Sequence, residues 1–229
     1  MRLDKYLCHA TGLTRSQAHK IVRRREVTVD GEEVRNPALR ITSDSKVEWQ
    51  GRSIMLSGPR YFMMNKPAGV VSATLDAQHT TVIDLLDEAN PKGLHAAGRL
   101  DIDTTGLVLI SDDGEWTHRI TSPRHKCEKS YLVILSETLD ESLIDIFAAG
   151  IELHNEKGKT KPAMLEILSP TEARIIISEG KYHQVKRMFA ASGNHVVALH
   201  RERIGALGLD DDLAEGEFRP LSEEEIALF

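Results

Sequence analysis

Between Gly51 and Pro59 the sequence changes its rhythm, and that change limits the possible folds more than any other feature. Upstream, Leu3, Tyr6 and Leu7 recur at helical spacing, as do Ala18, Ile21 and Val22. Downstream come strand-like runs: Tyr61 to Met64, Val70 to Ser72, Leu107 to Ser111, Tyr131 to Leu135, Ala163 to Leu168, Arg174 to Ser178 and Val196 to Leu199. Gly51, Ser53, Ser57, Gly58 and Pro59 read as a linker between them. Two units are therefore expected, residues 1–57 and 60–229. Helices are sparse in the second: Asp140 to Ala149, closed by Gly150, and His183 to Ser192, closed by Gly193. Clustered strands with few helices predict an α+β fold with a mixed, mainly antiparallel sheet, not a doubly wound one.

Composition narrows the class. The chain has 229 residues, 41% hydrophobic, enough for a sizeable core. No run approaches the roughly 18 apolar residues of a membrane span. Arg2, Asp4 and Lys5 crowd the start with no apolar stretch behind them, so no secretory signal is expected. Cys8 and Cys127 have neither disulfide-framework nor zinc spacing, which suits a reducing cytoplasm. The net charge of −6 argues at first against nucleic acid, but it is unevenly spread. Residues 1–60 hold 12 Lys and Arg against 7 Asp and Glu, whereas residues 209–229 hold one Arg against eight acids. Opposite charge at the two ends is a cue for an end that faces RNA or DNA.

The basic groups cluster on one element. Thr14-Arg15-Ser16-Gln17 reads as a capping box, opening a helix whose outer face carries Arg15, His19, Lys20, Arg23, Arg24 and Arg25. None has an acidic residue at i+4, as a merely solubilising helix normally would. Unpaired cations on a small rigid unit suit phosphate contacts, which position rather than read sequence. Val27 to Val34 around Asp30-Gly31 reads as a two-residue hairpin, with a further strand at Val47 to Trp49. Arg2 to Leu7, Thr14-Arg15-Ser16 and Val27 to Gly31 together resemble the small RNA-binding domain named after a small-subunit ribosomal protein, the S-four domain.

Three clusters carry chemistry in the larger unit. Gly98 to Gly106 packs two acids, two hydroxyls and two glycines ahead of an apolar strand. Read blandly, it is a structural turn in which Asp and Thr bond their own backbone. Cys127 to Tyr131 is a short basic stretch running into a strand, and a strand tyrosine is usually core. Ser178 to Phe189 opens a helix whose apolar side is Val185, Met188 and Phe189, with Lys186 and Arg187 able to reach a carboxylate.

With Asn65-Lys66-Pro67-Ala68-Gly69 added, these clusters match in order the motifs of the pseudouridine synthases, in particular the branch that modifies ribosomal RNA. The resemblance implies isomerisation of a uridine in small-subunit (16S) ribosomal RNA, position 516 in the usual reference numbering, in the cytoplasm, by a monomer; close paralogues share these motifs and modify other ribosomal RNA uridines. Uracil leaves the ribose, turns, and rejoins through carbon, so no cofactor and no metal is implied. Asp101 is implied as the ionised carboxylate, by covalent attack or by removal of a sugar proton. Lys186 stands where the family has a basic partner for that acid, often Arg, which pairs more directionally than Lys. Tyr131 is implied as the aromatic that stacks on the extruded base. Arg99 would fill the vacated space or hold a phosphate, and Arg119, Arg124, Lys126 and Lys129 would extend a basic track beside the cleft. The expected RNA-binding set is Arg15, Lys20, Arg23, Arg24, Arg99, Arg124 and Lys129.

Two rivals stand beside this reading. Asp101-Ile102-Asp103-Thr104-Thr105 also fits the D-x-D-x-T signature of aspartyl-phosphate phosphatases, which should follow a parallel, fully apolar strand. The segment His95 to Leu100 is too polar and Gly-rich for that. A non-catalytic RNA-binding assembly factor would leave Asp101 dispensable.

Overall fold

A mainly antiparallel sheet carries the larger part of the chain, and a smaller sheet with two helices forms a separate unit. The computed structural model describes every residue except Ser43, Leu56, Ser57, Asp87, Ala89 and Asn90, and the side chain of His9. It divides into two compact units, Met1–Pro59 and Arg60–Phe229. Ser57 of the expected linker lies outside the described residues.

The first unit starts with α1 (Leu3–Thr11), which ends at Gly12 in the left-handed region (φ 72°), and α2 (Arg15–Arg23). The Thr14–Gln17 capping box is present. Strands β1 (Val27–Val29), β2 (Glu32–Glu33), β3 (Val47–Trp49) and β4 (Arg52–Ile54) pair antiparallel in the order β2-β1-β3-β4. Leu3, Leu7, Ala18, Val22 and Val27 are completely buried between helices and sheet. Asp30 and Gly31 both have positive φ, as the two-residue hairpin turn requires. Gln50 and Gly51 do the same, so Arg52–Ile54, expected as linker, forms the edge strand of a second hairpin. A Gln at the first turn position hides that signal.

The second unit contains β5 (Tyr61–Lys66), β6 (His95–Ala96), β7 (Thr105–Ser111), α3 (Gly114–Thr121), β8 (Lys129–Leu135), α4 (Ser142–Ala148), β9 (Met164–Ser169), β10 (Glu172–Ile177), α5 (Gln184–Ala191), β11 (Val196–Ile204), β12 (Leu207–Gly208), β13 (Phe218–Pro220) and α6 (Glu223–Ile226). The main path is β13-β5-β7-β11-β8-β10-β9, with β6 on β7 and β12 on β11. Only β7 and β11 pair in parallel among these strands. The fold is α+β with a mixed, mainly antiparallel sheet.

The central strands β5 and β7 read as continuous apolar runs because both faces are covered. Phe62, Met64, Val108 and Ile110 face a core shared with Phe147 of α4 and Phe189 of α5, whose rings meet edge-on at 5.1 Å. Met63, Leu107 and Leu109 face Trp116 and Ile120 of α3. No described helix is long and apolar enough to cross a membrane. Val70 to Ser72, expected as a strand, makes only one bridge, Val71 to Thr81. The Ser72 hydroxyl instead donates to the Leu100 carbonyl (3.1 Å) and accepts from the Leu100 amide (3.0 Å), tying the segment to the loop before β7.

Candidate active site

The Gly98–Gly106 loop is held from below by a buried lysine. Lys66 ends β5 with no exposed surface, and its ammonium donates to the carbonyls of Pro67 (2.9 Å), Thr104 (2.8 Å) and Ile102 (3.4 Å). Burial, the largest influence, lowers its pKa to about 8. The Gly69 amide also donates to the Ile102 carbonyl (2.8 Å). Thr104 N–H closes the turn on the Asp101 carbonyl (3.1 Å), so the acidic loop is bonded through its backbone and its carboxylates are left for other partners.

Those partners come from the start of α5. Lys186 Nζ lies 3.4 Å from Asp101 Oδ2 and 2.5 Å from Asp103 Oδ1. The Lys186 ammonium holds Asp103 below the ordinary aspartate range. Asp103 therefore does not cap the following backbone, and the two acids converge on one cation. His183 Nε2 lies 3.3 Å from Asp101 Oδ1 on the other side. His183 caps α5 in the left-handed conformation (φ 47°, ψ 38°), and buried Gln184 bonds back to the Lys181 amide and to Glu179 Oε1 (2.9 Å each).

The floor of the cleft is aromatic and cationic. Tyr131, on β8, is nearly buried and lines the same cavity of about 620 Å³ as Asp101. The Arg201 guanidinium sits 6.0 Å from its ring centroid. Arg201 is itself buried and donates to the carbonyls of Leu107 (2.7 Å) and Gly98 (3.4 Å), with no carboxylate partner among the described residues. Lys129 turns into the cleft rather than along its outside, its Nζ on the Cys127 carbonyl (2.7 Å), and burial lowers its pKa. Two cations without carboxylate partners make the floor attractive to an anionic ligand. Burial pushes the Cys127 thiol up, away from reactivity.

The remaining expected residues fall in two places. Arg99 is exposed at the lip of the cavity, and Arg124 is exposed just after α3. Arg119 of the expected track donates through Nε to the Phe229 carbonyl. In the first unit Arg15, Lys20 and Arg23 are exposed on α2 with no carboxylate partner among the described residues. The other three basic residues expected there are partnered after all, by residues outside the i+4 positions. His19 meets buried Asp4 at 2.9 Å, Arg24 lies 3.9 Å from Glu26, and Arg25 lies 3.4 Å from Glu33. Arg24 and Arg25 also lie beyond the helix end, Arg25 with φ 61°.

The topology excludes the phosphatase arrangement. The strand before Asp101 is the two-residue β6, antiparallel to β7, and Lys186 stands between the two acids where that chemistry needs a metal. Comparison with known proteins then decides the family. Residues 60–191 match the model of the RNA pseudouridylate synthases, and residues 1–47 match the S4 domain. The chain belongs to the pseudouridine synthase family. The ribosomal small subunit pseudouridine synthase A of Escherichia coli K12 is 58% identical over 99% of both chains. The protein of that name from Vibrio cholerae is 55% identical over 99% of this chain and 98% of its own. A crystal structure described as a pseudouridylate synthase superposes with a TM-score of 0.73 at 48% identity, each chain covered completely. This synthase is thus an isomerase joined to an RNA-binding S4 unit.

Sequence reasoning singled out Asp101, Tyr131 and Lys186, and the fold brings all three to one cavity. It missed Arg201, His183 and the buried position of Lys66. A lysine two residues after the apolar run Tyr61 to Met64 was the available signal for Lys66. His183 lay within the Ser178 to Phe189 cluster without being singled out, and Arg201 had no signal, because what marks it is the company it keeps in space.

Proposed function

We propose that this synthase converts one uridine of small-subunit ribosomal RNA, uridine 516 of the 16S molecule, to pseudouridine. The observation that carries the reading is the constellation of Asp101, Lys186 and Tyr131 in one cleft with a cationic floor. Relatives that match over 99% of this chain, named for the ribosomal small subunit, support the substrate class.

The reaction breaks the bond from N1 of uracil to ribose carbon 1′ and forms one from carbon 5 to the same carbon. The proton lost from carbon 5 is balanced by one gained at N1. Asp101 supplies the anionic oxygen at the ribose, and attack at the sugar and removal of a sugar proton both start from that ionised form. Lys186 sets a positive charge beside that carboxylate as the bound nucleotide excludes water. Tyr131 offers a flat surface to the extruded base, a contact worth about 1–3 kcal/mol in single-strand binders. Arg201, fixed beneath that ring by backbone carbonyls, balances the negative charge brought in by the substrate. Arg99 at the lip, Arg124 beyond α3, and Arg15, Lys20, Arg23 and Arg24 of the S4 unit take phosphates, with Arg24 weakened by Glu26.

Chemical mapping of pseudouridine in ribosomal RNA from cells lacking the gene tests this directly. The expected result is loss of one modification, at position 516, restored by the wild-type gene and not by Asp101→Asn. Loss at another uridine would retain the chemistry and move the target.

A further inference from the structure

Tyr182 is the only exposed tyrosine of the four, with 73% of its surface open, although it lines the same cavity as Asp101. Its ring stacks on His183 with centroids 3.8 Å apart and planes 20° from parallel. His183 in turn reaches Asp101 at 3.3 Å. The three side chains form a ladder that leaves the candidate carboxylate and ends in an aromatic face open to solvent.

The ladder is held rigidly. The Tyr182 carbonyl accepts from Arg187 Nη1 (3.1 Å), and Arg187 also binds Glu156 and the His154 carbonyl. Lys181, the preceding residue, pairs with Glu156 at 3.1 Å. Both neighbouring cations are thereby neutralised, so this rim is poorly suited to phosphate and well suited to a neutral, flat group. Its ring spacing is close to the ~3.4 Å step of stacked bases in a nucleic-acid strand.

We propose that the outer face of Tyr182 is a second base-stacking site, taking a nucleotide that flanks the target uridine and holding the strand open while that uridine occupies the pocket over Tyr131. Because every base has a π-face, the site adds affinity and register without choosing a base. The inference rests on the proposed assignment of Asp101.

The test uses the full-length protein and a 16S RNA fragment spanning uridine 516, with 2-aminopurine placed in turn on each side of that uridine. Stacking quenches the probe at one flank in the wild-type protein and in Tyr182→Phe. In Tyr182→Leu the quench is lost and KM rises roughly five- to a hundredfold, the range carried by one base–aromatic stack, while kcat stays within about twofold. An unchanged quench and KM in Tyr182→Leu would overturn the site, as would a Tyr182→Phe variant as weak as Tyr182→Leu, which would assign the effect to the hydroxyl. A wrong assignment of Asp101 shows separately, as turnover by Asp101→Asn.

Discussion

The Lys186 ammonium stands 3.4 Å from the Asp101 carboxylate while making its shorter contact, 2.5 Å, to Asp103. Lysine is a compact point charge on a flexible stem, so one residue can serve two acids where a planar guanidinium would commit its fork to one. Replacing Lys186 with Met is expected to lower kcat by about 10²–10³, the usual cost of removing one preorganised charge partner, with RNA affinity nearly kept. Asp103→Asn should cost far less, since it frees the cation entirely for Asp101. Single-turnover rates and filter binding on the three proteins check the ordering.

Lys66 gives the site a pH signature in stability. Its folded pKa of about 8 lies below the ordinary 10.5 because burial penalises the charged form. Between those values the unfolded chain binds more protons than the folded one, so this group's contribution to stability rises with pH. Below about pH 8 both states carry the proton and the penalty is fully present. The difference in unfolding free energy between wild type and Lys66→Met should therefore climb from pH 8 towards 10.5 and stay flat from 6 to 7.5. Urea titrations at half-unit steps measure it.

Gly106 is fixed by its neighbour on the parallel strand. A Cβ there would lie 2.4 Å from the Arg201 carbonyl oxygen and 2.7 Å from its amide nitrogen, and φ is 101°. Gly106→Ala is expected to destabilise the second unit by on the order of 3 kcal/mol through overpacking and backbone strain. Gly180→Ala, with nothing within 4 Å and no positive φ, is the control and should unfold near the wild-type midpoint.

What could be read in advance depended on the kind of information each element carries. Strands such as Leu107 to Ser111 announce themselves by composition, and α5 by its apolar side and closing Gly193. The polar loop at Asp101 could be placed, but not the direction of its side chains. Its backbone is satisfied by Lys66 and Ser72, which lie far away in sequence. Read as a bland turn, the loop would have its acids bonding their own backbone; Asp103 instead shares Lys186, because that helix start is delivered by chain folding. The strand at Arg52–Ile54 was masked by Gln50, a side chain that seldom adopts the left-handed turn it occupies here.

On α2, the pairing pattern separates the cations by expected effect. Changing Arg15, Lys20 and Arg23 together to Gln should reduce the slope of log affinity against log salt by about 2–3, one unit for each phosphate no longer neutralised. Changing Arg24 and Arg25, each already near a glutamate, should shift it by less than one. A slope unchanged from wild type in the first variant would mean that the helix faces water in the complex.

The central claim is that an ionised oxygen of Asp101 carries out the isomerisation. Asn has the same shape and cannot supply that charge, so Asp101→Asn should bind the 16S fragment with wild-type affinity and form no pseudouridine in a single-turnover assay with enzyme in excess. Mass spectrometry of the purified protein excludes deamidation back to Asp. Measurable pseudouridine from a variant shown to be fully Asn would contradict the account.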